Sequence, residues 1–152
     1  MGGGRGFECS KCGKRYYANT GIGFLFPEVY SELVEDISAG KYGDDFKKAF
    51  KSVKNAAVDA ETHVYKCGKC SYWESECGLS LYAPNDNVRV TESYVMPHEL
   101  KEHYHIFKRY VHKCKECGSV MHKATDEEIE ELKCPYCGGD PDERKRVHMC
   151  WD

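Results

Sequence analysis

The chain has 152 residues, of which 22 are Lys or Arg and 25 are Asp or Glu, so its formal net charge is −3. This balance excludes a polybasic nucleic-acid arm, and no apolar run approaches the roughly 18 residues of a membrane span. The first residues also lack the hydrophobic segment of a signal peptide. We therefore expect one domain or two small ones, located in the cytoplasm and away from any membrane.

Ten cysteines stand out in a chain of this size. In a reducing compartment, cysteines serve metal or redox chemistry more often than disulfides. Eight of them form four Cys-x-x-Cys pairs, here called knuckles 1 to 4: Cys9/Cys12, Cys67/Cys70, Cys114/Cys117 and Cys134/Cys137. Tetrahedral zinc takes four ligands, so the four knuckles predict two zinc ions per chain held by these eight cysteines. Gly13, Gly118 and Gly138 directly follow three knuckles, which suits a turn with positive φ.

The first half of the chain reads as a hairpin followed by two helices. Residues 7–18 are predicted to form a β-hairpin around knuckle 1. Pro27 begins a helix at its preferred first-turn position, and Gly40 ends it. A second helix begins near Asp44, and the two make a helical hairpin inserted at about residues 24–57. We expect this insertion to form the main hydrophobic core against Phe24, Leu25 and Phe26.

The middle of the chain reads as strands followed by a helix. Residues 62–65 and 71–75 are predicted to be strands that enter and leave knuckle 2, and residues 79–82 and 88–96 are predicted to be further short strands. A helix is predicted from Pro97 towards Tyr110, and it links the two halves. His98, Glu102 and His105 share one face of that helix, which we interpret as a solvated polar surface.

The last third begins with knuckle 3. Thr125 and Glu128 form a capping box that starts a short acidic helix ending near Leu132. Residues 144–152 are predicted to return as a final strand.

The spacing of the knuckles suggests how they pair. Sixteen residues separate knuckles 3 and 4, a spacing typical of zinc sites. By elimination, knuckles 1 and 2 form the other site, although 54 residues lie between them. Crossed pairing, or a contribution from Cys77 or Cys150, stays open. This pairing divides the chain into an N-terminal zinc ribbon with the helical insertion, residues 1–96, and a linking helix with a C-terminal zinc ribbon, residues 97–152.

Each half resembles a zinc ribbon, in which two knuckle-bearing β-hairpins clamp one metal. The Cys-x-x-Cys-Gly and Cys-Pro-x-Cys-Gly knuckles of the C-terminal half are also similar to those of rubredoxin-like iron domains. The whole chain resembles the tandem zinc-ribbon proteins of unknown function found in bacteria. The resemblance implies a fold and a metal but no activity. With the helices, the expected fold class is α+β: two small zinc-ribbon β units with an inserted helical hairpin and a linking helix.

No catalytic constellation accompanies these sites. His98 and His103 are five residues apart, whereas the zinc proteases need a four-residue spacing that puts both on one helix face. A zinc ion with four cysteine ligands has no open position for water. We therefore expect a zinc-binding adaptor that is not an enzyme and that contacts a protein or a nucleic acid.

Two alternatives stay open. The first is a rubredoxin-like electron carrier with iron in the C-terminal four-cysteine site, since four thiolates also hold iron. The second is single-stranded nucleic-acid binding, with lysines contacting phosphates and aromatic rings stacking on bases. Its candidate lysines are Lys11, Lys14, Lys66, Lys69, Lys113, Lys115 and Lys133, and its candidate rings are Tyr16, Tyr17, Tyr72 and Trp73.

Overall fold

The computed structural model describes residues 2–151. The chain folds into two compact units, each built from separated segments. The four-knuckle unit contains the residues up to Phe24, Thr62–Glu76 and the residues from Val111 onward. The helical unit contains Leu25–Glu61 and Cys77–Tyr110. This division differs from the expected boundary at residue 96, because the helical unit takes a second segment from the middle of the chain.

The fold is mixed α and β, with short helices and small antiparallel sheets. In chain order, the elements are β1 (Gly2–Glu8), β2 (Arg15–Thr20), α1 (Phe26–Ala39), α2 (Asp44–Ser52), β3 (Ala57–Val58), β4 (Thr62–Cys67), β5 (Trp73–Cys77), β6 (Leu81–Pro84), α3 (Pro97–His103), β7 (Tyr104–Lys108), β8 (Met121–Lys123), α4 (Asp126–Glu130), a 3₁₀ turn (Glu143–Lys145) and β9 (Val147–Trp151).

Two three-stranded sheets form the four-knuckle unit, with strand orders β2-β1-β9 and β5-β4-β8. In the first sheet, Phe7 lies opposite Tyr16 and Gly4 lies opposite Met149. The core of the unit is a cluster of buried side chains that includes one cysteine from knuckle 1 and one from knuckle 4. Its members are Phe7, Cys9, Tyr16, Ala18, Val64, Trp73, Ala124, Ile129, Leu132 and Cys134.

The helical unit pairs α1 and α2 with a sheet of strand order β3-β6-β7. Helix α1 begins with Pro27 in its first turn and ends at Gly40, whose φ of 88° lets its amide bond to carbonyls of the last turn, as predicted. Its buried residues follow the helical repeat: Phe26, Tyr30, Leu33 and Ile37. The amide of Val58 in β3 donates to the Tyr30 hydroxyl, 3.4 Å away.

Three local expectations are wrong. Phe24 and Leu25 are 84% and 57% exposed, so only Phe26 of that apolar run joins the core. Residues 88–96 contain no strand. Helix α3 ends at His103, and the chain continues as strand β7 because its aromatic and β-branched residues pair with β6. His98 and Glu102 therefore lie on α3 while His105 lies on β7, and the three do not share a helix face.

The remaining predicted elements form. The hairpin around knuckle 1, helix α2, the strands flanking knuckle 2 and the capped helix α4 lie close to their expected positions. Of the final strand expected over residues 144–152, Val147–Trp151 forms β9, residues 144 and 145 belong to the 3₁₀ turn, and Asp152 lies outside the described residues. Within residues 2–151, none of the helices has both the length and the apolar character needed to cross a bilayer.

Candidate metal centres

The four knuckles repeat one backbone arrangement. In each, the amide of the first cysteine donates to the carbonyl five residues later, at 2.8–2.9 Å, and these carbonyls belong to Lys14, Tyr72, Ser119 and Gly139. In three knuckles, the glycine after the second cysteine donates back to the first cysteine's carbonyl at 2.8–3.0 Å. Gly13, Gly118 and Gly138 have φ values of 71° to 72°, which confirms the predicted turn.

Knuckles 1 and 4 come together, and knuckles 2 and 3 come together. In the first group, here called the outer site, Cys9 Sγ lies 3.4 Å from Cys137 Sγ, and Cys12 Sγ lies 3.7 Å from Cys134 Sγ. In the second group, here called the inner site, the Cys67–Cys117 and Cys70–Cys114 sulfur pairs are each 3.5 Å apart. The four sulfurs of each group all lie within 4.8 Å of one another.

This crossed pairing differs from the pairing expected from spacing. All eight predicted cysteines take part, but the expected site of knuckles 3 and 4 does not form. The cause is strand pairing between distant segments. Antiparallel pairing of β8 with β4 places Met121 opposite Cys67, which brings knuckle 3 beside knuckle 2.

Backbone contacts between the two ends of the chain assemble the outer site. Strand β9 pairs with β1, the Ser10 amide donates to the Asp140 carbonyl at 2.9 Å, and the Asp142 amide donates to the Glu8 carbonyl at 2.7 Å. These contacts place knuckle 4 against knuckle 1. The four cysteines of the iron alternative, from knuckles 3 and 4, are therefore divided between two sites.

The sulfur separations fit a shared metal ion. A zinc–sulfur bond of about 2.3 Å implies roughly 3.8 Å between sulfurs at the corners of a tetrahedron. The sulfur pairs at 3.4–3.7 Å are close to that spacing and far from the roughly 2.05 Å of a disulfide. The donor set of four soft sulfurs also suits zinc, or iron, better than magnesium or calcium.

Backbone amides stabilise particular thiolates. The amides of Cys12 and Lys11 point at the Cys9 sulfur, 3.5 and 3.4 Å away, and lower the pKa of Cys9 to about 6. In the inner site, hydrogen bonds from the side chain and amide of Ser119 lower the pKa of Cys117 to about 6. The pKa of Cys67 is also lowered, by the amides of Cys70 and Lys69.

Other thiols in the same groups resist ionisation. The Tyr72 amide lowers the pKa of Cys70, but burial and the neighbouring sulfurs outweigh it and raise this pKa to about 12. The Gly139 amide lowers the pKa of Cys137, but the neighbouring sulfurs, that of Cys9 first, together with partial desolvation outweigh it and raise this pKa to about 11. Four adjacent thiols cannot all ionise alone, so a cation is needed to hold four thiolates together.

Buried aromatic residues support both sites. The indole N–H of Trp73 donates to the Lys133 carbonyl at 2.8 Å. Trp73 lies just after knuckle 2, and Lys133 lies directly before knuckle 4. The Tyr16 hydroxyl donates to the Leu132 carbonyl at 3.0 Å. Tyr16 and Trp73 are only 3% and 8% exposed, so they are core residues and not the stacking platforms expected from sequence. The sequence does not reveal this role, because the hydrogen-bond acceptors are carbonyls of a distant segment.

Charged residues surround the inner site. The Lys115 ammonium pairs with Glu74 and with Glu76, the latter at 3.0 Å, and its pKa is raised by these hydrogen bonds. The buried His112 ring stacks on Tyr65, with centroids 3.6 Å apart, and its Nδ1 lies 3.4 Å from Glu76. Lys115 is therefore engaged within the unit, as is Lys133, which pairs with Asp140.

Comparison of the chain with protein-family models, with curated proteins and with solved structures gives no match. The zinc-ribbon resemblance thus remains a likeness of knuckle motifs, and the two groups of four cysteines carry the assignment of candidate metal sites.

Proposed function

We propose that this protein is a non-catalytic zinc-binding adaptor whose two zinc ions stabilise its fold. The observation that carries the proposal is the convergence of four cysteine sulfurs at each of two places. Both groups consist of thiols alone, and four thiolates fill the coordination sphere of a tetrahedral zinc. A filled sphere has no position for water or substrate, so each zinc acts structurally.

The placement of the sites supports a structural role. The outer site joins segments that lie 122 positions apart in the sequence, measured between Cys12 and Cys134. Cys9 and Cys134 belong to the hydrophobic core of the four-knuckle unit. Cys67 and Cys114 belong to a second buried cluster with Tyr65 and Met121. Metal binding at these positions stabilises the packing around them, because such a site is not preformed in the unfolded chain.

The thiols also support a reducing location. None of the ten cysteines forms a disulfide, and Cys150 is exposed. Because disulfides form readily in oxidising compartments and are rare in the cytosol, we place the protein in the cytoplasm.

Metal analysis tests the proposal. Natively expressed protein is expected to contain two zinc ions per chain and to be colourless in the visible range. Bound iron with a thiolate-to-iron charge-transfer band would contradict the zinc assignment and would support an electron carrier instead.

Cysteine variants assign each ion to its site. Cys12→Ser in the outer site and Cys117→Ser in the inner site are each expected to release about one zinc per chain. The matched control is Cys150→Ser, which changes an exposed cysteine outside both groups and should retain two zinc ions. Full zinc content in the first two variants would contradict the ligand assignment.

A further inference from the structure

A groove lies between knuckle 2 and knuckle 4 within the four-knuckle unit. It has a volume of about 430 Å³, within the range of ligand-binding clefts. Its lining consists of aromatic and proline side chains, cysteines of both sites, one charged residue and two small residues. These are Tyr72, Trp73, Pro135, Tyr136, Cys70, Cys134, Cys137, Glu116, Ser71 and Gly138. We propose that this groove binds an arginine side chain from a basic segment of a partner protein. The inference rests on the proposed function, because it uses the charge of the metal-loaded sites.

The charges around the groove favour a cation. A zinc ion with four thiolates carries a net charge of −2, so two such sites lower the formal charge of the chain from −3 to about −7. Cys70 brings the inner site to the groove wall, and Cys134 and Cys137 bring the outer site. Among the side chains that line this groove, Glu116 is the one acidic or basic group, and it adds negative charge. A guanidinium is attracted here, whereas a phosphate is repelled.

The aromatic rings give the cation a specific contact. Tyr136 is 60% exposed, and the Lys14 ammonium lies 4.8 Å from its ring centroid, so this ring already attracts a cation and the arginine would take the place of Lys14 there. A hydrogen bond from the Tyr72 hydroxyl to Glu74, 3.1 Å long, holds the ring of Tyr72 in place. Trp73 also borders the groove, but it is a buried core residue whose N–H donates to the Lys133 carbonyl, so Tyr72 and Tyr136 are the rings offered for stacking. Planar guanidinium groups stack on such rings better than ammonium groups do.

A neighbouring groove offers room for the rest of the partner segment. It has a volume of about 690 Å³ and shares Cys70 and Ser71 with the first groove. Of its four cations, Arg146 pairs with Glu130 at 2.8 Å and with Glu143 at 3.3 Å, and Lys133 pairs with Asp140; the other two are Lys66 and Lys69. This mixed lining suits a polypeptide with charges of both signs better than a chain of phosphates.

A peptide-binding measurement tests the inference on the zinc-loaded full chain. The probe is a fluorescein-labelled dodecapeptide of Gly-Ser-Arg repeats, and the comparison peptide replaces each Arg with Gln. Fluorescence anisotropy at low salt is expected to give at least about tenfold tighter binding of the arginine peptide. Tyr136→Leu is expected to weaken that binding about fivefold, and Glu116→Gln about threefold.

Two control variants lose a tyrosine ring or an acidic charge outside the groove, so they separate a general effect of that loss from an effect at the groove. Tyr17→Leu removes an exposed tyrosine on the β2-β1-β9 sheet, and Glu127→Gln removes an exposed acid on α4; neither lines the groove, and both should bind as the parent chain does. Zinc content is measured on every sample. Equal binding of the two peptides by a chain with two zinc ions overturns this inference alone.

Two further outcomes are decisive. Unchanged affinity in Tyr136→Leu with both zinc ions retained also overturns the inference. The inference is also overturned if a dodecamer of uridylate binds more tightly than the arginine peptide and Lys69→Ala weakens the binding of that dodecamer. This result would assign the grooves to single-stranded nucleic acid. A chain isolated without zinc overturns the proposed function first and this inference with it.

Discussion

At the scale of single residues, backbone conformation at the knuckles decides which positions tolerate change. Gly118 has a φ of 72°, and a Cβ added there would meet nothing within 4 Å. A substitution at this position therefore costs backbone strain but no steric clash. Gly68, inside knuckle 2, also has open space around its Cβ position, but its φ lies outside the left-handed region. Because both positions have room for a Cβ and only Gly118 has a positive φ, comparing them isolates the effect of backbone conformation on stability.

We expect Gly118→Ala to destabilise the zinc-loaded protein by about 1 kcal/mol, because alanine is strained at positive φ. Gly68→Ala is the matched control and should change stability by less than about 0.5 kcal/mol. Urea denaturation followed by tryptophan fluorescence measures both. Equal effects of the two substitutions would show that strain at the knuckle turn does not govern its stability.

At the scale of elements, short-range signals located most of the structure. The capping box before α4 forms as predicted: the Glu128 amide donates to the Thr125 hydroxyl at 3.2 Å, and the Thr125 amide donates to the Glu128 carboxylate at 3.0 Å. Two hydrogen bonds hold the pKa of the Glu128 carboxyl below its usual value: the larger effect comes from the Thr125 amide and the smaller from the His122 side chain. The helix carries the buried Ile129, so its start position matters to the core.

Thr125→Ala is expected to cost about 1 kcal/mol of unfolding free energy, because it removes the side-chain cap of α4. Thr91→Ala, at an exposed position of the helical unit, is the control and should be near neutral. Chemical denaturation at constant zinc concentration compares the two variants. A neutral Thr125→Ala would mean that tertiary packing alone fixes the helix start.

Features that depend on contacts between distant segments could not be predicted from the sequence. Leu100 and Tyr104 have helical spacing, yet Tyr104 begins strand β7, because β6 offers it an antiparallel partner. The same limitation applies to the sites. The Cys-x-x-Cys motif identifies candidate ligands by itself, but which knuckles meet depends on pairing of β4 with β8 and of β1 with β9. Spacing favours the shortest loop between knuckles, and sheet pairing overrides that preference.

At the scale of the whole molecule, the two sites are nested: the inner site lies between the two halves of the outer site along the chain. Closing the inner site shortens the flexible loop between Cys12 and Cys134 from 121 to 70 residues. This reduction is worth only about 0.5 kcal/mol of loop entropy. The hydrogen bond from Trp73 to the Lys133 carbonyl adds about 1 kcal/mol. This contact therefore contributes more to the coupling between the two sites than the loop entropy does.

We therefore expect the two sites to load cooperatively. Cys117→Ser, which disrupts the inner site, should weaken zinc binding at the outer site about tenfold, as measured by competition with a chelator. Trp73→Phe keeps both sets of ligands and should remove most of this coupling. An outer site whose affinity in Cys117→Ser stays within about twofold of the parent would mean that only loop entropy connects the sites.

Nesting also sets an order of events during synthesis. The inner ligands are complete once Cys117 has left the ribosome, whereas Cys9 and Cys12, which are made before all of the inner ligands, wait for Cys137. At about 5–20 residues per second, the 20 residues from Gly118 to Cys137 take roughly 1–4 s to make. During that interval, knuckle 1 is an open two-thiol site. Knuckles 1 and 4 therefore close on a metal ion only after all four ligands of the inner site are available.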